Sequence, residues 1–105
     1  MYYNNEGADS PDERSVLVRM SALKHGVDPA DALAVMDHPQ ATRIMSEDPL
    51  KVLYLGFGGN AVALEVVAVL NKGRWRLIHA MRLRKTYWPL LLQGAMEYPR
   101  WKGKR

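Results

Sequence analysis

Two short stretches hold most of the side chains in this chain that could do chemistry. One is Lys24-His25. The other is residues 74–87, Arg-Trp-Arg-Leu-Ile-His-Ala-Met-Arg-Leu-Arg-Lys-Thr-Tyr. The constellation of arginines, Lys85, His79 and Tyr87, with Lys24 and His25 at a helix end, suits metal-independent cleavage of RNA. A base takes the proton from the ribose 2′-OH, cations hold the crowded phosphate in its transition state, and an acid protonates the leaving oxygen. RNA supplies its own nucleophile, so no serine, cysteine or cofactor is required. Histidine titrates in the useful range, and the planar guanidinium forks onto phosphate oxygens.

Read as a strand, residues 74–87 alternate. Trp75, Leu77, His79, Met81 and Leu83 point one way. Arg74, Arg76, Ile78, Ala80, Arg82 and Arg84 point the other. Four arginines on one wet face repel one another, and a polyanion explains them. The competing reading is a solvated face that keeps a sheet edge soluble. His79 falls on the apolar side, where a satisfied core histidine is the alternative; a bulge near Ala80 would turn it toward the arginines. Lys24 and His25 have a plainer reading as complements of a helix C-terminus. Trp75, Met81 and Leu83 read as core. Trp88 and Trp101 suit packing of the last helix better than base stacking.

Other chemistries find little support. Asp28, Asp31 and Asp37 lie on one short helix, but Asp28 and Asp31 are spent on capping, and nothing supplies the oxygen cage that Mg²⁺ or Ca²⁺ needs. His25, His38 and His79 lack zinc-ligand spacing. Gly56, Gly58 and Gly59 spell Gly-x-Gly-Gly between two strands rather than before a helix, which argues against a dinucleotide loop. No Gly-x-Ser-x-Gly elbow occurs. The chain has no cysteine, hence no disulfide, thiolate zinc site or cysteine nucleophile. This fits a cytoplasmic protein. The first residues show neither the basic nor the apolar region of a secretory signal, and no apolar run is long enough to span a membrane.

The elements that must position these residues follow from length and pattern. At 105 residues, 48% hydrophobic and 25% charged, the chain fits one domain with one core. Residues 1–9 read as a frayed leader, 10–97 as the domain and 98–105 as a basic tail. Ser10-Pro11-Asp12-Glu13 reads as a helix start, followed by Val16, Met20, Leu23 and Val27 at helical spacing and a stop at Gly26. Asp28-Pro29-Ala30-Asp31 starts a second helix, ended by His38-Pro39. Strands are expected over 41–46, 51–57 and 61–70, the last a central strand interrupted by Glu65. Asn71-Lys72-Gly73 turns into the arginine strand, and a short helix is expected over 86–97. The predicted fold is α+β: two N-terminal helices, a four-strand antiparallel sheet and a short C-terminal helix. The helices should cover one face and leave the other open and basic. Charge is unevenly placed. Residues 1–50 carry four basic against nine acidic residues, a net of −5; residues 51–105 carry eleven against two, a net of +9. Such asymmetry points to a nucleic-acid or acidic-protein surface in the C-terminal half.

The chain resembles BrnT-type toxins, the RelE-like ribonuclease halves of bacterial type II toxin–antitoxin pairs, and within them a short actinobacterial branch. The matching residues are Leu23-Lys24-His25-Gly26-Val27, Asp31-Ala32-Leu33, His38-Pro39, Leu53-Tyr54-Leu55-Gly56, Leu64-Glu65-Val66, and Ile78-His79-Ala80-Met81 with Arg84 and Lys85. BrnT proteins open with a Phe-Glu-Trp-Asp-like strand. Here that place holds Met1-Tyr2-Tyr3-Asn4-Asn5, so no opening strand is expected. The resemblance implies a metal-independent endoribonuclease that cleaves mRNA, free or on the ribosome, and is neutralised by an acidic antitoxin covering its basic face. The positions carried over are Lys24, His25, Arg84, Lys85 and His79; Arg84 and Lys85 would stabilise the phosphate and His79 or His25 would act as acid or base. Lys24, Arg74, Arg76, Arg82 and Tyr87 would contact the RNA. The alternatives are a non-catalytic module that binds nucleic acid or an acidic protein, and a structural protein whose basic face docks in an assembly. An exposed edge strand would also allow two copies to pair.

Overall fold

The computed structural model describes residues 15–99. The chain forms strand β1 (Val16–Val18), a 3₁₀ turn (Met20–Leu23), helix α1 (Pro29–Asp37), strands β2 (Ala41–Glu47), β3 (Leu50–Phe57), β4 (Ala63–Asn71) and β5 (Arg74–Arg82), a second 3₁₀ turn (Lys85–Tyr87) and helix α2 (Trp88–Gln93). The five strands form one sheet in the order β1-β5-β4-β3-β2. β2 to β5 pair antiparallel in sequence, and β1 pairs parallel with β5, Val16 opposite Trp75 and Val18 opposite Leu77.

This corrects the expected two N-terminal helices and four strands. The helix-start signal at Ser10–Glu13 lies outside the described residues, as do the leader over 1–9 and most of the tail over 98–105. The place of the strand not expected, residues 1–5, also lies outside the described residues, but Val16, Leu17 and Val18 are all buried and form a strand where a helix was expected. Two of the three are β-branched, which suits a pleated, buried segment. Met20, placed on an apolar helix face by its spacing, is 64% exposed. The helical content before Gly26 is one 3₁₀ turn.

The helices do not share a face. Ala32 and Val35 of α1 pack with Leu64, Val66, Leu77 and Ala80. Leu91 of α2 packs with Leu53, Leu55, Ala63 and Val67 on the opposite side. Successive residues of β4 thus serve two cores, which is why 63–68 are buried without alternation. α1 begins where Asp28 accepts a hydrogen bond from the Ala30 N–H at 2.9 Å, with Pro29 in the first turn; a cap of this kind stabilises by about 1 kcal/mol.

The C-terminal helix is shorter than the expected 86–97. It stops at Gly94, whose φ of 69° is left-handed. The chain then returns along β2. Thr42 N–H donates to the Ala95 carbonyl, Glu97 N–H to the Thr42 carbonyl, and Ile44 N–H to Glu97 Oε1 at 2.7 Å. This segment covers part of the outer edge of β2, which would otherwise present unpaired backbone groups.

One irregularity in β5 decides where its side chains go. Val67 faces His79 while the next residue, Ala68, faces Leu77, so Ile78 is an extra residue, a β-bulge. Simple alternation therefore fails beyond Leu77. Trp75 and Leu77 pack on the α1 side and Ile78 on the α2 side, but Ala80 returns to the α1 side. Arg82 pairs with Leu64 and shares that side. The expected single face bearing Arg74, Arg76, Ile78, Ala80 and Arg82 is broken in two.

Candidate functional site

The site begins with a carboxylate in the centre of the sheet. Glu65 lies on β4 between Leu55 of β3 and Met81 of β5, and its side chain is fully buried. A buried charge is tenable only with partners, and the end of β5 provides them. Leu83 N–H donates to the Ala63 carbonyl at 3.0 Å, extending the ladder past Arg82. The backbone N–H of Arg84 then donates to Glu65 Oε1 at 3.0 Å. Arg84 Nε reaches Oε2 at 3.0 Å and Oε1 at 3.2 Å, and its Nη2 reaches Oε2 at 2.6 Å. His79 Nε2 lies 3.0 Å from Oε2.

These contacts favour the charged forms of Glu65 and Arg84. Burial alone would raise the Glu65 carboxyl pKa; the hydrogen bonds from Arg84 and His79 outweigh it and hold the group below the usual range. The same hydrogen bonds and charge raise the Arg84 pKa. An ionised carboxylate only accepts hydrogen bonds. His79 Nε2 therefore donates to it, and Nδ1 has no hydrogen-bond partner among the described residues. Arg84 uses Nε and Nη2 on Glu65, and its side chain is 53% exposed. Its remaining Nη1 has no hydrogen-bond partner among the described residues and can meet a ligand.

Two further residues join this cluster. The His25 ring packs edge-to-face on His79 with centroids 5.9 Å apart. The Arg84 guanidinium lies 5.7 Å from the centre of the Tyr87 ring, within cation–π range. Lys24 and Lys85 are exposed neighbours in sequence of His25 and Arg84. The structure thus brings together His79, Arg84, His25 and Tyr87. It does not bring Arg74 or Arg76 to them. These lie three to five residues before His79, about 10–17 Å along the strand. Arg76 is half-buried, with Nε lacking a partner among the described residues. Arg82 lines a cleft on the α1 side that also includes His25.

Sequence reasoning missed Glu65 as a member of the site. The signal was the lone acid in Ala61–Leu70, a run otherwise apolar throughout: a carboxylate there demands a cation. Asp31 is also corrected. It does not cap α1 but accepts a hydrogen bond from Gly59 N–H at 2.9 Å. Among the described residues no group of three or more His, Asp or Glu could hold a metal ion, and no helix is long and apolar enough to cross a membrane. No family model, curated protein or solved structure matches this chain.

Proposed function

We propose that this protein is a metal-independent endoribonuclease of the toxin type, cleaving mRNA in the cytoplasm and held in check by an acidic partner protein. The observation that carries the reading is Glu65, which anchors an arginine and a histidine on one buried carboxylate. Catalysis by electrostatic stabilisation needs donors fixed before the reaction, and Arg84 is fixed by four hydrogen bonds, three from its side chain. His79 Nδ1 takes the proton of the 2′-OH. The 2′-oxygen then attacks phosphorus while Arg84 Nη1 and Lys85 stabilise the added negative charge. The P–O5′ bond breaks, and His25 gives its proton to the leaving oxygen. The products are a 2′,3′-cyclic phosphate and a 5′-hydroxyl. The sequence resemblance to BrnT-type toxins supports the same residues.

Incubation of the purified protein with a long single-stranded RNA in EDTA tests this. Fragments ending in cyclic phosphate are expected. Arg84→Ala should cut the rate by about 10²–10³-fold, the loss typical of one transition-state donor, while RNA affinity falls far less. Intact RNA with a salt-sensitive gel shift would replace this reading with a non-catalytic RNA-binding module.

A further inference from the structure

Apart from His25, the lining of the cleft on the α1 side takes no part in the chemistry above. The cleft is open, about 570 Å³ in volume, and lined by residues that include His25, Asp28, Asp31, Asn60, Leu64 and Arg82. The loop into α1, the β3–β4 connection and the end of β5 meet there. The Gly-x-Gly-Gly motif lets them meet. A Cβ at Gly58 would lie 3.1 Å from the Asp31 Cβ and 3.2 Å from the Leu64 side chain, and one at Gly59 would lie 3.1 Å from Asp31 Oδ1. A side chain at Gly58 would push the connection off α1. With glycine, the connection sits on Asp31 and brings Asn60 to the same cavity. His25 belongs to both places, since it lines the cleft and packs on His79.

We propose that this cleft is the subsite for one unpaired base of the RNA, and that it selects guanine. The proposal rests on the ribonuclease reading and names its substrate preference. Single-stranded RNA is read by bases that stack on flat side chains and hydrogen-bond through their edges. The His25 imidazole offers a flat face, and Val62 and Leu64 give an apolar lining. Two carboxylates against one guanidinium, that of Arg82, leave the cleft with acceptors to offer to N–H donors. Guanine sets N1–H and its exocyclic NH₂ side by side, a fork that matches the two oxygens of a carboxylate. Asp28 Oδ1 holds the Ala30 N–H and Asp31 Oδ1 holds the Gly59 N–H, and each carboxylate keeps its Oδ2 and further lone pairs. Asp31 is half-buried whereas Asp28 is exposed, so water competes less at Asp31, and Asp31 is the reader.

The test uses guanosine, adenosine, cytidine and uridine, which carry no phosphate and are not cleaved. Each is titrated into the full-length protein while backbone amides are followed by NMR. Guanosine should shift the amides of Gly26, Gly59 and Asn60 and bind about tenfold more tightly than the others, as one bidentate pair predicts. Asp31→Asn retains an oxygen for the Gly59 N–H, so the fold should persist while the preference disappears. Equal binding of all four nucleosides, shifts confined to other regions, or a preference surviving in Asp31→Asn would overturn the proposal. Guanosine binding without RNA cleavage in EDTA would remove the ribonuclease reading and leave the guanine subsite. Cleavage without guanosine preference would do the reverse.

Discussion

At the scale of single residues, one carboxylate organises everything around it. Glu65 contributes to the fold as well as to the site, and its titration gives that contribution a pH dependence. Its pKa in the folded protein lies below the ordinary 4.5. Between those two values the unfolded chain binds more protons than the folded one, so stability rises with pH there. The contribution is complete above about pH 4.5 and disappears as pH falls through the folded value. Urea midpoints measured from about pH 6 down to about pH 2 should show this loss on top of that from other carboxylates. Replacing the pair by Glu65→Leu with Arg84→Ala leaves no buried charge and should flatten the acid limb. An equal fall in both proteins would mean that Glu65 is not ionised in the fold. Glu65, with no role assigned, was visible in the sequence as an interruption of an apolar run and as part of the Leu64-Glu65-Val66 match. Its partners were not, because Arg84 and His79 reach it through the register of β5, which no local pattern encodes.

At the scale of elements, what could be read from the sequence was what is decided locally. Asp28-Pro29 starts α1 because cap and first turn lie within a few residues. β1 escaped because Val16, Met20, Leu23 and Val27 also fit a helix, and only a strand far along the chain decides between the two. The bulge at Ile78 escaped for the same reason, although His79 was placed toward the arginines on the condition that one existed. The return of the C-terminal segment onto β2 depends on Glu97, whose side chain accepts from the Ile44 N–H much as a strand carbonyl would. Glu97→Ala should therefore loosen this edge without touching the Glu65 cluster. The expected cost is about 1 kcal/mol, or about a fivefold faster hydrogen exchange of the Ile44 amide. Unchanged exchange at Ile44 would show that the other hydrogen bonds of this segment suffice to protect the edge.

At the scale of the whole molecule, the charge asymmetry survives the correction of the fold but changes meaning. The bulge removes the continuous arginine face and leaves separate basic regions. Arg84 belongs to the Glu65 cluster, with Lys85 its exposed neighbour in sequence, Arg82 to the cleft, and Arg74 and Arg76 to the opposite end of β5. An RNA backbone that engages Arg84 can reach Arg74 and Arg76 only by running along the strand. On the proposed ribonuclease reading those two arginines would act as remote phosphate contacts, which add affinity and salt dependence without sequence information. Arg74→Ala and Arg76→Ala should each weaken binding of a long RNA by a similar factor for all sequences and lower the salt slope by about one. Cleavage of a fragment too short to span β5 should be unaffected by either change. Arg82→Ala should behave differently, altering binding of short and long RNAs alike because its cleft adjoins the cluster through His25. If Arg74→Ala slows cleavage of the short fragment as much as the long one, the remote-contact role is wrong and the two ends of β5 act on the same phosphate.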